Sequence, residues 1–232
     1  MTPAATRPKA VVSWSSGKDS AYALWEVQRR GEIEVVGLLT TVTEAFDRVS
    51  MHGVREEILR AQAAAVGLPL HVVRIPYPCP NAVYEERMAA IVRQLRAEGV
   101  AKMVFGDLFL EDIRAYREDR LRGTGMEPVF PLWGRPTATL AREMIDAGIV
   151  AHLVAIDPRV LPSGFAGRRF DRGLLADLPS SVDPCGERGE FHTCVSAGPM
   201  LRAPIPVERG PVVERDGFVF ADLRLADAPP PP

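Results

Sequence analysis

The chain has 232 residues, 47% hydrophobic and 25% charged, which suits a soluble globular protein with one full domain, a smaller appendage and a real core. Its formal net charge is −2, so no global basic field draws it to nucleic acid. Three cysteines (Cys79, Cys185 and Cys194) are too few and scattered for a disulfide framework, the first ten residues carry no apolar signal region, and no run reaches roughly 18 uncharged apolar residues; the expectation is a cytoplasmic protein that does not span a membrane.

Residues 10–14 read as a buried strand, followed by a helix at about 19–30 that stops at Gly31. A second strand covers 33–41. The next helix, about 54–66, ends at Gly67, and a strand follows at 70–75. Asn81 is placed as the N-cap of a helix running to about Glu98 and closed by Gly99, before a strand at 102–106. Strands alternating with helices of this length predict βαβ units and right-handed crossovers, hence an α/β fold with a doubly wound, mostly parallel sheet. Such sheets bind ligands beyond the carboxyl ends of their strands, which singles out the loops after Trp14, Thr41, Ile75 and Gly106.

After Gly134 the pattern loosens. A helix at 138–147 and a strand at 149–156 precede a polar stretch, the segment 183–195, and a late hairpin that turns at Asp216-Gly217 between 212–215 and 218–220. A boundary near 133–136 divides an ATP-binding domain, 1–134, from a smaller C-terminal α+β domain, 135–227, with a proline tail at 228–232 not expected to be ordered.

The strongest local signal is Ser15-Ser16-Gly17-Lys18-Asp19-Ser20, between a buried strand and a helix. A strand, a tight turn of small residues and a helix N-terminus together aim backbone N–H groups at an anion. Gly17 lets the backbone approach phosphate, Ser15 and Ser20 offer hydroxyls, and Lys18 offers charge. A Walker loop it is not, since G-x-x-x-x-G-K-[ST] is absent. A polar βα turn with an ordinary Ser or Asp cap fits the same six residues.

The loop resembles the S-G-G-x-D-S signature of PP-loop ATP pyrophosphatases, with Ser16 where that family usually has its first Gly. A serine there disfavours a positive φ. Other stretches resemble one branch, the diphthine–ammonia ligase family and its bacterial relatives: Gly106-Asp107 at a strand end, Arg114, Trp133-Gly134-Arg135, and Cys185-Gly186-Glu187-Arg188-Gly189-Glu190-Phe191-His192-Thr193, close to that family's C-G-E-x-G-E-F-x-T element. The matches run in the family's order from Val11 to Thr193.

The resemblance implies a PP-loop, HUP-like Rossmann-type fold and a ligase. A substrate carboxylate attacks the α-phosphorus of ATP, pyrophosphate leaves, and ammonia converts the acyl-adenylate to an amide and AMP. The 15–20 loop would hold pyrophosphate with Mg²⁺, Met51-His52 would open the following helix near the adenine, and the 185–193 element would hold the acceptor carboxylate or ammonia. Asp107 is placed for Mg²⁺ or substrate, and Arg114 and Arg135 as oxyanion clamps. The remaining charges between Glu111 and Arg122 read as a solvated face.

Glu187 and Glu190, three apart around glycines, suit a tight loop presenting carboxylates to Mg²⁺, an amine or a substrate cation; a solvated acidic turn is the bland alternative. No zinc site is assigned to Cys185, His192 and Cys194, whose spacing lacks paired ligands, and Cys185 reads as a small buried hydrophobe. The partners implied are a carboxylate substrate and free ammonia, since no glutaminase domain is visible; a homodimer is left open. The Ala/Arg/Pro-rich composition points to a GC-rich bacterium, in which diphthine, a modified histidine of the archaeal and eukaryotic translocation factor, would be missing and another carboxylate would serve. Two rival readings are a PP-loop tRNA-modifying enzyme, which would want a basic surface or paired cysteines, and an ATP-binding sensor without turnover.

Overall fold

The computed structural model describes residues 7–226, so the proline tail at 228–232 lies outside the described residues. At its centre is β1 (Lys9–Ser13), whose Ala10, Val11 and Val12 are fully buried, as expected of a strand covered on both faces. It pairs in parallel with β2 (Glu34–Thr43) and, on its other edge, with β5 (Val100–Val104). A two-residue β3 (Arg48–Val49) returns antiparallel onto the end of β2. β4 (Leu70–Ile75) pairs in parallel with β2. Leu38 and Leu39 are shared between β1 and β4, so these two lie on opposite edges of β2. A short β6 (Glu127–Val129) completes the sheet beside β5.

The chain therefore moves outward from β1 through β2 to β4, then crosses back to β5. The switch point falls between β1 and β5, where a doubly wound sheet opens a crevice at its carboxyl edge. Around this sheet run α1 (Lys18–Arg30), α2 (Glu56–Val66), α3 (Asn81–Ala97) and α4 (Glu111–Leu121). Gly31 and Gly67 close α1 and α2 at φ 67° and 77°, left-handed geometry that carries no steric penalty without a Cβ.

Two expectations about helix starts are corrected. Asn81 is the first residue of α3, and the capping position is Pro80, whose φ of −62° is set by its ring; no side-chain cap bond forms. Met51 and His52 do not open α2. They occupy a turn between β3 and α2, because Met51 and Gly53 both adopt φ 67° and interrupt any helix there.

The C-terminal part holds α5 (Thr137–Asp146), β7 (Val150–Ile156), α6 (Arg172–Asp177), β8 (Phe191–Ala197), β9 (Val207–Arg215) and β10 (Phe218–Leu225). Its four strands form an antiparallel sheet in the order β8-β7-β10-β9. One apolar core joins this sheet to α1 and α2 through residues such as Leu24, Ile58, Leu153 and Phe191. A separate core, including Val11, Leu39, Val92, Leu95, Met103 and Leu121, fills the other face of the parallel sheet, under α3 and α4. Burying both faces is the main stabilising term, at about 25 cal/mol per Å² of apolar surface.

Candidate functional site

A cleft of about 1620 Å³ opens at the carboxyl edge of the parallel sheet, lined by Ser15, Asp19, Ser20, Thr41, Ser50, Met51, His52, Gly106, Asp107, Glu187 and His192 among others. Its floor is the turn between β1 and α1. Gly17 takes the N-cap position of α1 with an extended backbone, φ −90° and ψ 170°. A Cβ on Gly17 would come within 2.9 Å of His52 Cε1, and one on Gly106 within 2.8 Å of the Asp19 and Ser20 backbone. The two glycines thus let three segments meet at the helix start.

Ser16 adopts φ 69°, a conformation that costs an L-residue about 1–3 kcal/mol. The serine therefore takes the very φ its side chain disfavours. The turn is held there by bonds to its carbonyl, which accepts from Val195 N at 2.9 Å and from Gln62 Nε2 at 3.2 Å. The Ser16 hydroxyl is buried and has no hydrogen-bond partner among the described residues, an orphan that a ligand oxygen could satisfy. Ser15 and Ser20 share a hydroxyl contact of 3.1 Å, and the Ser20 hydroxyl also donates to Gly17 O. The first amides of α1 precede any intrahelical acceptor; Lys18 N is satisfied by Thr193 Oγ1 at 3.0 Å.

Lys18 lines the cleft, but its charge is taken up by the protein. Its ammonium is buried, donates to both Asp19 carboxylate oxygens at 2.9 and 3.0 Å and to the Cys185 carbonyl, and lies 5.4 Å from the Phe170 and Phe191 ring centres. Burial works to lower this ammonium, but the Asp19 carboxylate holds it above its ordinary value.

From the C-terminal side, the segment between α6 and β8 reaches over the same floor. Glu187 accepts from Leu108 N at 2.7 Å, and its carboxyl is pushed up to about 7, mainly by burial and also by Asp19 and Asp107 across the cleft. Glu190 is buried, and its oxygens accept from Asp183 N and Arg188 N, both at 2.9 Å. Its carboxylate is spent on its own loop, unlike that of Glu187. Asp183 does similar work, accepting from Cys185 N, Glu187 N and Thr137 Oγ1. Cys185 is 1% exposed and burial raises its thiol, as befits a packed residue and not a nucleophile.

His52 and His192 pack with ring centres 4.5 Å apart and planes tilted by 30°, bringing the 50–53 turn onto β8. His52 Nδ1 lies 3.2 Å from Thr193 O, so it carries the proton that this contact needs. Both imidazoles are held below their ordinary value by burial, that of His192 at about 4, and so stay neutral.

The arginines separate. Arg117 lines the cleft, its Nε 3.3 Å from Asp107 Oδ2 and its guanidinium over Phe105. Arg114 is outside it, donating to Glu118 and stacked between Phe130 and Trp133 at 5.0 and 4.7 Å. Arg135 is also outside, bonded to Glu143 and 3.7 Å from the buried Glu26, where it ties α5 to α1. Reading the α4 charges as a solvated face therefore misses Arg117; three residues from Arg114, it shares a helix face with it, and only the sheet edge tells them apart. Thr193 and Gln62 are also missed, since nothing in their types marks them as supports for the loop.

Among the described residues no three His, Cys, Asp or Glu side chains are grouped to enclose an ion, and no helix is long and apolar enough to cross a membrane. Asp19, Asp107 and Glu187 nevertheless line one cleft, Asp19 paired with Lys18 and Asp107 with Arg117.

Two family profiles cover most of the chain: the diphthamide synthase N-terminal domain matches residues 8–128, and the diphthamide synthase C-terminal domain matches 136–220. Diphthine–ammonia ligases from Homo sapiens, Bos taurus and Mus musculus are 24%, 23% and 22% identical to it over 231 residues, spanning 90% of this chain and 86% of each relative.

Proposed function

The chain belongs to the diphthamide synthase family of ATP pyrophosphatase-type ligases, and from that membership we propose that it activates a substrate carboxylate as an acyl-adenylate and amidates it with ammonia. The observation that carries this reading is the strained 15–20 turn at the sheet's switch point, with its orphaned Ser16 hydroxyl, facing the carboxylates of Asp19, Asp107 and Glu187.

ATP is bound with its phosphates over the 15–20 loop and the start of α1, whose amides and dipole favour anions. Asp19 and Asp107 would hold a Mg²⁺ ion beside those phosphates, where it would supply positive charge to offset that of the departing pyrophosphate. A carboxylate oxygen of the acceptor attacks the α-phosphorus, and the bond to the β-phosphate oxygen breaks. Ammonia nitrogen then adds to the acyl carbon, the bond to AMP breaks, and one proton is released. The 135–227 domain supplies the acceptor side through Glu187, and Arg117 sits at the junction to meet an oxyanion. The protein's share is positioning and charge stabilisation. Diphthine itself, the substrate in the relatives' name, is one candidate acceptor among carboxylates.

The test is chromatography of nucleotide products with Mg²⁺, ammonia and a panel of carboxylates. AMP and pyrophosphate, formed together and dependent on a carboxylate, are expected. ADP and phosphate as products would overturn the mechanism.

A further inference from the structure

The turn that carries Met51 and His52 into the cleft is braced by a residue far away in sequence. Asp222, on β10, is 9% exposed and accepts hydrogen bonds from two guanidinium groups, with that of Arg224 3.8 Å away. Arg48 Nη1 donates to Oδ1 at 2.9 Å, while Arg55 donates through Nε at 3.0 Å and through Nη2 to Oδ2 at 2.7 Å. Arg48 also donates to Gly53 O at 2.7 Å. Arg48 and Arg55 face each other in an antiparallel bridge, with Val49 N donating to Val54 O and Gly53 N to Val49 O. The turn is closed at its base, and one carboxylate grips both sides of that base.

The grip extends beyond charge. Phe220, two residues before Asp222, places its ring where a Cβ on Gly53 would come within 3.0 Å, and Gly53 is held at φ 67°. At the tip, Met51 keeps a positive φ and is 75% exposed, although it lines the cleft. An exposed apolar side chain in a strained turn gains nothing for the free protein. A buried carboxylate with two arginines is likewise a weak stabiliser compared with apolar packing, and such groups are better at fixing geometry.

We propose that Asp222 is a positioning residue for nucleotide binding: through Arg48 and Arg55 it holds the 50–53 turn so that Met51 and His52 wall the adenosine part of the ligand. The inference rests on the ATP reading above and assigns the C-terminal hairpin, which lies away from the 15–20 loop in sequence, a share in nucleotide affinity. Phosphate contacts belong to the 15–20 loop, which the braced turn meets only where His52 packs beside Gly17.

Calorimetry with AMP, with ATP–Mg²⁺ and with inorganic pyrophosphate–Mg²⁺ separates the two ends of the ligand. Asp222→Ala is expected to weaken AMP and ATP about tenfold while leaving pyrophosphate within about twofold of wild type. Asp222→Asn, which keeps the shape and removes the charge, should move in the same direction and serves if the alanine variant folds poorly; Asp222→Glu should recover part of the loss. In the Asp222→Ala background, Arg55→Ala should add little, because the arginine acts through the carboxylate. Wild-type AMP affinity in the variants, or equal losses for AMP and pyrophosphate, would overturn the assignment. If wild-type protein binds pyrophosphate but neither AMP nor ATP, the nucleotide reading itself fails, and this inference with it.

Discussion

The ammonium of Lys18 donates to the main-chain carbonyl of Cys185, so the loop after the first strand is fastened to the segment that brings Glu187 to the cleft. The same ammonium meets Asp19 and lies by Phe170 and Phe191. Lys18→Met removes a buried cation from its partner, which typically costs about 3–5 kcal/mol, less here because Asp19 is partly exposed. Urea denaturation should show a midpoint well below wild type, and Lys18→Arg should not restore it, because the forked head does not fit the cage. An unchanged midpoint would show that the tie contributes nothing to stability.

Glu187 gives a pH signature. Its folded carboxyl sits at about 7, above the ordinary carboxylate value, mainly because it is buried. The folded state thus retains a proton that the unfolded chain releases between about pH 4.5 and 7, and stability is lost as pH rises through that window. Glu187→Gln escapes the penalty. The variant should melt at a higher temperature than wild type at pH 8, with the gap shrinking towards pH 5, while product formation falls. A gap independent of pH would contradict the burial of an ionising group.

The paired histidines oppose that trend. His192, buried and near the Lys18 charge, is held at about 4, so the unfolded chain takes up a proton near pH 6.5 that the folded protein refuses until about pH 4. Stability from this group falls as pH drops across that range. Nuclear magnetic resonance of the imidazole protons should show His192 without titration above about pH 5. A midpoint near 6.5 would mean that the ring is solvated and the pair open.

The fold was readable because β1, β2, β4 and β5 are apolar runs punctuated by glycines at left-handed helix ends, and both signals are local. The sequence marks only the last four residues of the edge strand β9, 212–215, because its exposed, charged face lacks the alternation of a half-buried strand. Within the site, the 15–20 loop and Glu187 were legible from spacing and resemblance. What a side chain does there was not: Lys18 turns inward, Arg117 replaces Arg114 at the cleft, and Asp222 reaches a turn 170 residues upstream through Arg48 (separation 174) and Arg55 (separation 167). Those outcomes depend on which partner the folded chain brings near, and no local pattern encodes it.

Glu190 and Glu187 stand three residues apart in one glycine-rich loop, yet they should fail in opposite ways. Glu190 accepts two amides, Asp183 N and Arg188 N, and has no oxygen to spare. Glutamine at this position sets an NH₂ donor against one of those N–H groups and leaves a buried donor unsatisfied, at a cost of about 1–3 kcal/mol. The loop that carries Glu187 should then loosen, so Glu190→Gln should lower the melting temperature and product formation together. Glu187→Gln should lose product formation while gaining melting temperature at pH 8. Paired melting and turnover measurements on the two variants decide the matter. Should Glu190→Gln melt like wild type and still lose turnover, Glu190 would be acting on the substrate and not on its loop.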